Sequence, residues 1–276
     1  MKPRKVWAVY FSGTGTTEKT VCRIAEGIAK AMNTDYGTFS YTLPQSRQEV
    51  LRFSADDLVV FGSPVYAGRV PNVLLPYLTE KVQGCGAMAV PVVLFGNRNF
   101  DDALMELRNI LRDDGFIPVA GAGFVGEHSF STTLGGGRPD AEDMALMDSF
   151  AKAVADKVGA MEYADPEKIV DVRGNDPIHP YYTPRDRAGN PINILKVKPK
   201  TDMDKCSGCG WCAEHCPMGS ISAENPGEVK GICIKCCACV KGCPTGAKYY
   251  DDAGYLYHQH ELEEGYQRRA EVELFL

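Results

Sequence analysis

The sequence predicts an α/β fold: a doubly wound, five-stranded parallel sheet, followed by a small α+β module held together by cysteines. Three observations lead there. Apolar runs at 6–11, 57–62, 87–95 and 115–125 each end in a loop rich in Gly, Ser or aromatic residues, and the segments between them carry helical patterns. Between the first run and the first helix lies Ser12-Gly13-Thr14-Gly15-Thr16-Thr17. Toward the other end, one cysteine pattern occurs twice.

The 276 residues suit one medium domain and one small one. With 44% hydrophobic and 24% charged residues, the chain can bury an ordinary globular core. A net charge of −6 argues against a nucleic-acid partner, whose usual footprint is a basic patch. No apolar run approaches the ~20 residues that a bilayer span needs. Met1-Lys2-Pro3-Arg4-Lys5 followed by Val6–Phe11 is basic then apolar, but the run stops at Ser12-Gly13, short of a secretory signal. The expectation is a buried strand in a cytoplasmic protein, a setting that also keeps thiols reduced.

The first strand enters the Ser/Gly/Thr loop. Beyond it, Val21, Ile24, Ala25, Ile28 and Ala29 recur at helical spacing. Such a strand–loop–helix turn aims backbone N–H groups and a helix N-terminus at an anion, and the Ser12, Thr14 and Thr17 hydroxyls add donors. Gly13 and Gly15 fit a dinucleotide fingerprint, but Glu18 stands where its third glycine belongs. Glu18-Lys19-Thr20 supplies only the end of a nucleoside-triphosphate loop. The competing reading is a hydroxyl-capped turn without a ligand. Residues 36–41 read as an edge strand and 47–53 as a polar helix. The strand over 57–62 ends in Ser63–Pro71, that over 87–95 in Gly96–Asp102, and that over 115–125 in Gly126–Phe130. Ligands of such sheets sit beyond the strand C-termini. A helix over 141–161 closes the unit.

The doubled pattern is Cys206-x2-Cys209-x2-Cys212-x3-Cys216-Pro217, then Cys233-x2-Cys236-x2-Cys239-x3-Cys243-Pro244. Three cysteines so spaced wrap around one object. A cubane cluster needs four thiolates, and in this spacing the fourth cysteine of a run ligates the other cluster. One [4Fe–4S] cluster is therefore assigned Cys206, Cys209, Cys212 and Cys243. The other is assigned Cys233, Cys236, Cys239 and Cys216. Zinc sites ask only for paired C-x2-C units. A disulfide framework sits badly with 11 cysteines, an odd number. Crossed ligation would staple a segment too short for a large core. Cys237 reads as a spare thiol, and Cys22 and Cys85 as small apolar residues.

On these cysteines, residues 200–250 resemble the bacterial two-cluster ferredoxin domain. On the loop Ser12–Thr17 and the strand–helix alternation, residues 4–160 resemble the flavodoxin family. The second resemblance implies bound FMN. Its phosphate would lie in Ser12, Gly13, Thr14, Gly15, Thr16 and Thr17. Its ring would lie between Pro64, Val65, Tyr66, Ala67 and Gly68 and the loop Gly96, Asn97, Arg98, Asn99, Phe100 and Asp101. Tyr66 is the candidate stacking ring and Phe100 a weaker one, each with an ordinary surface or core role as the alternative. Gly68 would permit a peptide flip beside the ring. Arg98 would favour an anionic reduced ring, and His128 is a candidate for proton transfer.

The expected organisation is an FMN-binding domain over 1–163, a Pro-rich linker over 164–200 that docks the next unit, a two-cluster domain over 201–250, and an acidic tail over 251–276. The parts imply a low-potential electron carrier between FMN and two [4Fe–4S] clusters, with ferredoxin-reducing or ferredoxin-oxidising enzymes as partners. The alternative is an FMN-dependent reductase of a small organic acceptor, such as a quinone, fed through the clusters.

Overall fold

The structure is a computed structural model that describes residues 1–276. Five strands run parallel: β1 (Lys5–Tyr10), β2 (Asp35–Ser40), β3 (Asp57–Pro64), β4 (Met88–Phe95) and β5 (Gly121–Val125). Their spatial order is 2-1-3-4-5, the flavodoxin-like doubly wound order. The middle strands are buried on both faces, which explains their unbroken apolar runs.

Side chains alternate across this sheet. On β1, Val6, Ala8 and Tyr10 face one apolar layer, and Trp7 and Val9 face the other. The first layer is completed by α1 (Thr16–Met32) and α4 (Ala141–Ala160), through Val21, Ile24, Ile28, Phe150 and Val154. The second layer is completed by α2 (Leu75–Lys81) and α3 (Ala103–Asp113), through Leu78, Leu104, Leu107 and Leu111. Asp140 opens α4 with a capping box: its carboxylate accepts the Asp143 N–H at 3.1 Å, and the Asp143 carboxylate accepts the Asp140 N–H at 3.0 Å.

Three expectations differ from what the chain does. Residues 47–53 are not a helix: Pro44–Arg47 form one 3-10 turn, and Leu51–Arg52 then pair with Val82–Gln83. Phe53 is drawn under the sheet, edge-on to Trp7 at 5.9 Å, so burial overrides local propensity. The run over 115–125 is split, because Ile117–Pro118 pair with Met88–Ala89 before β5 begins. Residues 251–276 are not a loose tail. They form α7 (Ala253–Gly265) and β6 (Glu273–Phe275), and β6 lies antiparallel on β5, covering what would be an open sheet edge.

The Pro-rich stretch is irregular but anchored. The Asp102 carboxylate accepts N–H groups of Asn175 (3.0 Å) and His179 (2.8 Å). The Tyr181 hydroxyl donates to Val70 O at 2.8 Å, and the Tyr182 N–H donates to Ala67 O at 2.8 Å. Val170 and Val172 are buried against the second layer.

In the cysteine module, Lys200–Thr201 pair antiparallel with Lys248–Tyr249, around α5 (Trp211–Glu214) and α6 (Ala238–Lys241). The sequence repeat is also a backbone repeat. Gly210 (φ 77°) and Cys237 (φ 58°) each precede a short helix in the left-handed region. Only Cys212, Ile221 and Cys239 form an apolar cluster here, too few to hold a fold unaided. No helix is long and apolar enough to cross a membrane.

Candidate redox site

The strand order places the C-terminal ends of β1, β3, β4 and β5 at one end of the sheet. A cleft enclosing about 460 Å³, part of it open to solvent, lies there. Gly13, Thr14, Thr16 and Thr17 line one side at the N-terminus of α1. Pro64, Val65 and Tyr66 follow β3, Gly96 follows β4, and Gly126, Glu127, His128 and Ser129 follow β5. Hydroxyls and helix N-terminal N–H groups line the cleft together with the Tyr66 ring, a donor set that fits a phosphorylated planar ligand such as FMN.

Two more loop residues act from behind. The Ser12 hydroxyl accepts the Glu18 N–H at 3.1 Å, and Gly15 supplies the left-handed turn at φ 87°. Ala67 (φ 52°) and Gly68 (φ 79°) form the tip of a two-residue hairpin, closed by Tyr66 N–H to Arg69 O at 2.9 Å and Arg69 N–H to Tyr66 O at 3.2 Å. The hairpin aims Tyr66 at the cleft. Gly68 is committed elsewhere: its carbonyl accepts the Asp102 N–H at 3.1 Å.

Most of the second ring loop faces away from the cleft. Phe100, expected as a weaker stacking ring, is fully buried in the core, edge-on to Phe95 at 5.5 Å. The Arg173 guanidinium lies 3.9 Å from its ring centroid. Arg98, expected beside the flavin, pairs with Asp101 and lies 4.7 Å over the Tyr182 ring. Asn99 Oδ1 accepts the Asp101 N–H at 3.0 Å. Asn97 is held by the C-terminal segment: its Nδ2 donates to Tyr266 O and Arg268 O, both at 2.7 Å, and its Oδ1 accepts the Ala270 N–H at 3.1 Å. The chain after α7 crosses this loop and claims the Asn97 side chain and the Asn97 and Arg98 carbonyls, while Phe100 fills the space beside Gly123.

His128 does line the cleft, packed on Gly96 so closely that a Cβ there would lie 2.3 Å from its ring. Its Nδ1 accepts the Phe130 N–H at 3.1 Å. Burial, followed by His258, Lys241 and Arg98, lowers its pKa to about 4. It is therefore neutral near pH 7, which removes a ready imidazolium from the expected proton-transfer role.

The cysteines fall into two cavities. An inner one is lined by Cys216, Cys233, Cys236 and Cys239, with Cys237 as a fifth cysteine in its wall. An outer one is lined by Cys206, Cys209, Cys212 and Cys243. Each cavity contains the four cysteines of one crossed set, and the inner one adds Cys237. Equivalent N–H···S bonds support each crossing cysteine: Ser220 N–H to Cys216 Sγ at 3.4 Å, and Ala247 N–H to Cys243 Sγ at 3.2 Å. No three His, Cys, Asp or Glu side chains converge as a single metal ion requires.

The two sets differ in exposure. Cys236 and Cys239 are buried, whereas Cys209, with its neighbours Ser207, Gly208, Pro244 and Thr245, is exposed. Burial pushes the Cys236 thiol up to about 12. At Cys243 burial opposes ionisation, but the Thr245 hydroxyl and the N–H groups of Thr245, Lys248 and Ala247 bring it down to about 7.

Cys236 also lines the cleft at the strand ends. A Cβ built on Gly13 would lie 3.1 Å from Cys236 Cβ and 3.6 Å from the Tyr66 hydroxyl. Burial, then Cys236, Cys237 and Cys233, holds the Tyr66 phenol well above its usual value of 10. Nothing in local sequence signals this meeting of residues 13, 66 and 236. The same holds for Lys241, which bonds Glu127, His128 O (2.8 Å) and Ser131 O (2.7 Å) across the two units.

Residues 199–222 match the 4Fe-4S binding domain family. Among solved structures the chain is similar to a flavodoxin from the domain Archaea, at 16% identity over 56% of this chain and 99% of that one, with a TM-score of 0.39. It is similar to rubredoxin oxygen:oxidoreductase from the anaerobe Desulfovibrio gigas, at 17% identity over 58% of this chain but 37% of that one, with a TM-score of 0.41. A third similar structure is an NADH:FMN oxidoreductase in its apo form, at 14% identity over 60% of this chain and 95% of that one, with a TM-score of 0.42. Among curated proteins none matches. By its own strand order and its cysteine motif, the chain joins a flavodoxin-like α/β unit to a 4Fe-4S binding segment.

Proposed function

We propose that the chain is a low-potential electron carrier that moves electrons between FMN in the cleft and two [4Fe–4S] clusters in the inner and outer thiol sets. Residues 1–163 would hold the flavin and 201–250 the clusters, with 164–200 fixing one against the other. A flavin exchanges one or two electrons and each cluster exchanges one, so together they join two-electron to one-electron chemistry.

One observation carries this reading: Cys236 lines both the flavin cleft and the inner thiol set. A cluster ligand in the cleft wall leaves no room for an intervening partner. The outer set opens to solvent at Ser207, Cys209, Pro244 and Thr245, which suits it as the port toward redox protein partners. The cleft is also walled by 126–129, so space beside the ring for a small organic substrate is limited.

Anaerobic purification with iron, sulfide and flavin counts is the first test, with about eight irons expected per chain. Reduction of one-electron protein acceptors is expected. Multiple turnovers with one small organic acceptor, far above free flavin, would replace the carrier by a reductase. Zinc in the thiol sets would end both readings.

A further inference from the structure

We infer that Cys236 couples the two kinds of site, so that filling the inner thiol set strengthens flavin binding while filling the outer set does not. Lys235 and Cys237 are the positioning residues that hold Cys236 in the cleft wall. This inference rests on the electron-transfer reading above and adds a dependence between its cofactors.

The two sequence copies differ at this place. In the first, Cys209 is flanked by Gly208 (φ 70°) and Gly210 (φ 77°) and is exposed. In the second, Cys236 is flanked by Lys235 (φ 56°) and Cys237 (φ 58°) and is buried. Glycine adopts these left-handed angles freely; lysine and cysteine do not. Strain at both neighbours of one ligand persists only where surrounding contacts over-determine it.

Those contacts are present. Lys235 Nζ donates to Leu195 O at 3.1 Å and Cys233 O at 2.9 Å, tying the turn to the Pro-rich stretch. Cys237 Sγ lies 3.4 Å from the Tyr255 hydroxyl and 3.4 Å from Lys235 O. The Tyr255 ring packs on Phe130 at 4.7 Å between centroids, and the Phe130 N–H returns to His128 in the cleft. The turn around Cys236 is thus braced from the linker, from α7 and from the loop after β5. The Cys236 Cβ would lie 3.1 Å from a Cβ built on Gly13, so the phosphate-binding loop can run beside it only with glycine there.

The braces hold the backbone of the turn, whereas an inner set without its cluster leaves the Cys236 side chain free to rotate in the cleft wall. A flavin must then order that side chain on binding. A bound cluster would already have done so, and the coupling is reciprocal. Cys209 has no equivalent contact with the cleft, so the outer set stands outside this linkage.

FMN affinity measured by anaerobic equilibrium dialysis tests this on the full chain. Cys216→Ser removes an inner thiolate that does not line the cleft, and Cys209→Ser is its outer counterpart. The inner variant is expected to bind FMN roughly ten-fold more weakly than wild type, within the usual range of coupling between sites. The outer variant is expected to stay within about two-fold, well under that range. Equal affinities in the wild-type and inner variants overturn the inference, as does an outer-set loss as large as the inner-set loss.

Should Cys216→Ser fail to fold, Cys239→Ser, which removes another inner thiolate that does not line the cleft, takes its place with the same two outcomes. The double variant Lys235→Gly/Cys237→Gly tests the positioning residues, because it restores the glycine pattern of the first copy and keeps all eight assigned ligands: weaker FMN binding with iron intact supports their role, and unchanged affinity overturns it. A wild-type chain that takes up no FMN, or no iron, overturns the electron-transfer reading instead.

Discussion

Lys241 and Glu127 form an ion pair across the boundary between the cysteine module and the sheet. The lysine side chain is 19% exposed and also serves two carbonyls, His128 O at 2.8 Å and Ser131 O at 2.7 Å. One ammonium thereby fixes the loop after β5 to α6. Lys241→Met would strand a half-buried carboxylate and two carbonyls, at a cost of about 1–3 kcal/mol. Amide exchange over 126–131 should accelerate in the same variant. Unchanged exchange there would show that the loop is held by its own turn.

Phe100 and Tyr66 separate core from cleft. Phe100→Ala opens a cavity beside Phe95 and should cost about 3–5 kcal/mol in stability, with FMN affinity of the folded protein little changed. Tyr66→Leu should do the reverse, weakening FMN while the unfolding midpoint barely moves. Flavin titration and urea unfolding of both variants give the comparison. A Phe100 variant that folds normally but loses FMN would put that ring back at the site.

Arg138 pairs with Asp143 in the first turn of α4 and ties it to the C-terminal segment. The guanidinium donates to Asp143 Oδ2 at 2.9 Å and to Ala270 O at 2.6 Å, and the Asp143 side chain is fully buried. Arg138→Met leaves that carboxylate buried beside Arg269, 3.6 Å away, as its remaining cation. A loss of about 3–5 kcal/mol follows, because the stranded charge costs more than the pair contributed. Replacing both partners with apolar residues should recover much of it. A double variant as unstable as the single one would refute this account.

His128 gives stability a pH dependence. Burial is the main cause of its lowered pKa, so the unfolded chain, near 6.5, takes a proton before the folded chain does, near 4. Stability is therefore full above pH 6.5 and declines as the pH falls toward 4. Between pH 7.5 and 5.5 the loss from this residue is about 1 kcal/mol. His258, lowered by burial in the same direction, adds to it. Urea midpoints for wild type and His128→Gln at the two pH values check this; parallel slopes would remove His128 as the source.

Much of the site was legible because its signals are local. The Ser12–Thr17 turn needs only a strand before it and a helix after it. The crossed cysteine sets are assigned by a spacing rule; the two cavities gather their members, and the inner one also takes in Cys237, which that rule leaves out. Phe100 illustrates the limit. A loop aromatic beside a strand end has the same local pattern whether it faces a ligand or the core. Here Gly123, whose Cβ would lie 2.6 Å from the ring, leaves a hole in β5 that Phe100 fills.

The sequence by itself determined the chemistry on offer, because hydroxyl-rich turns and repeated thiols are set by residue type and spacing over short stretches. Only the tertiary structure decided who meets whom. It placed residues 251–276 in α7 and on the sheet edge, and it turned Asn97 toward the C-terminal segment. It also made Cys236 a wall of the cleft at the strand ends. Those outcomes depend on contacts between residues more than a hundred positions apart, and no local period or motif records them.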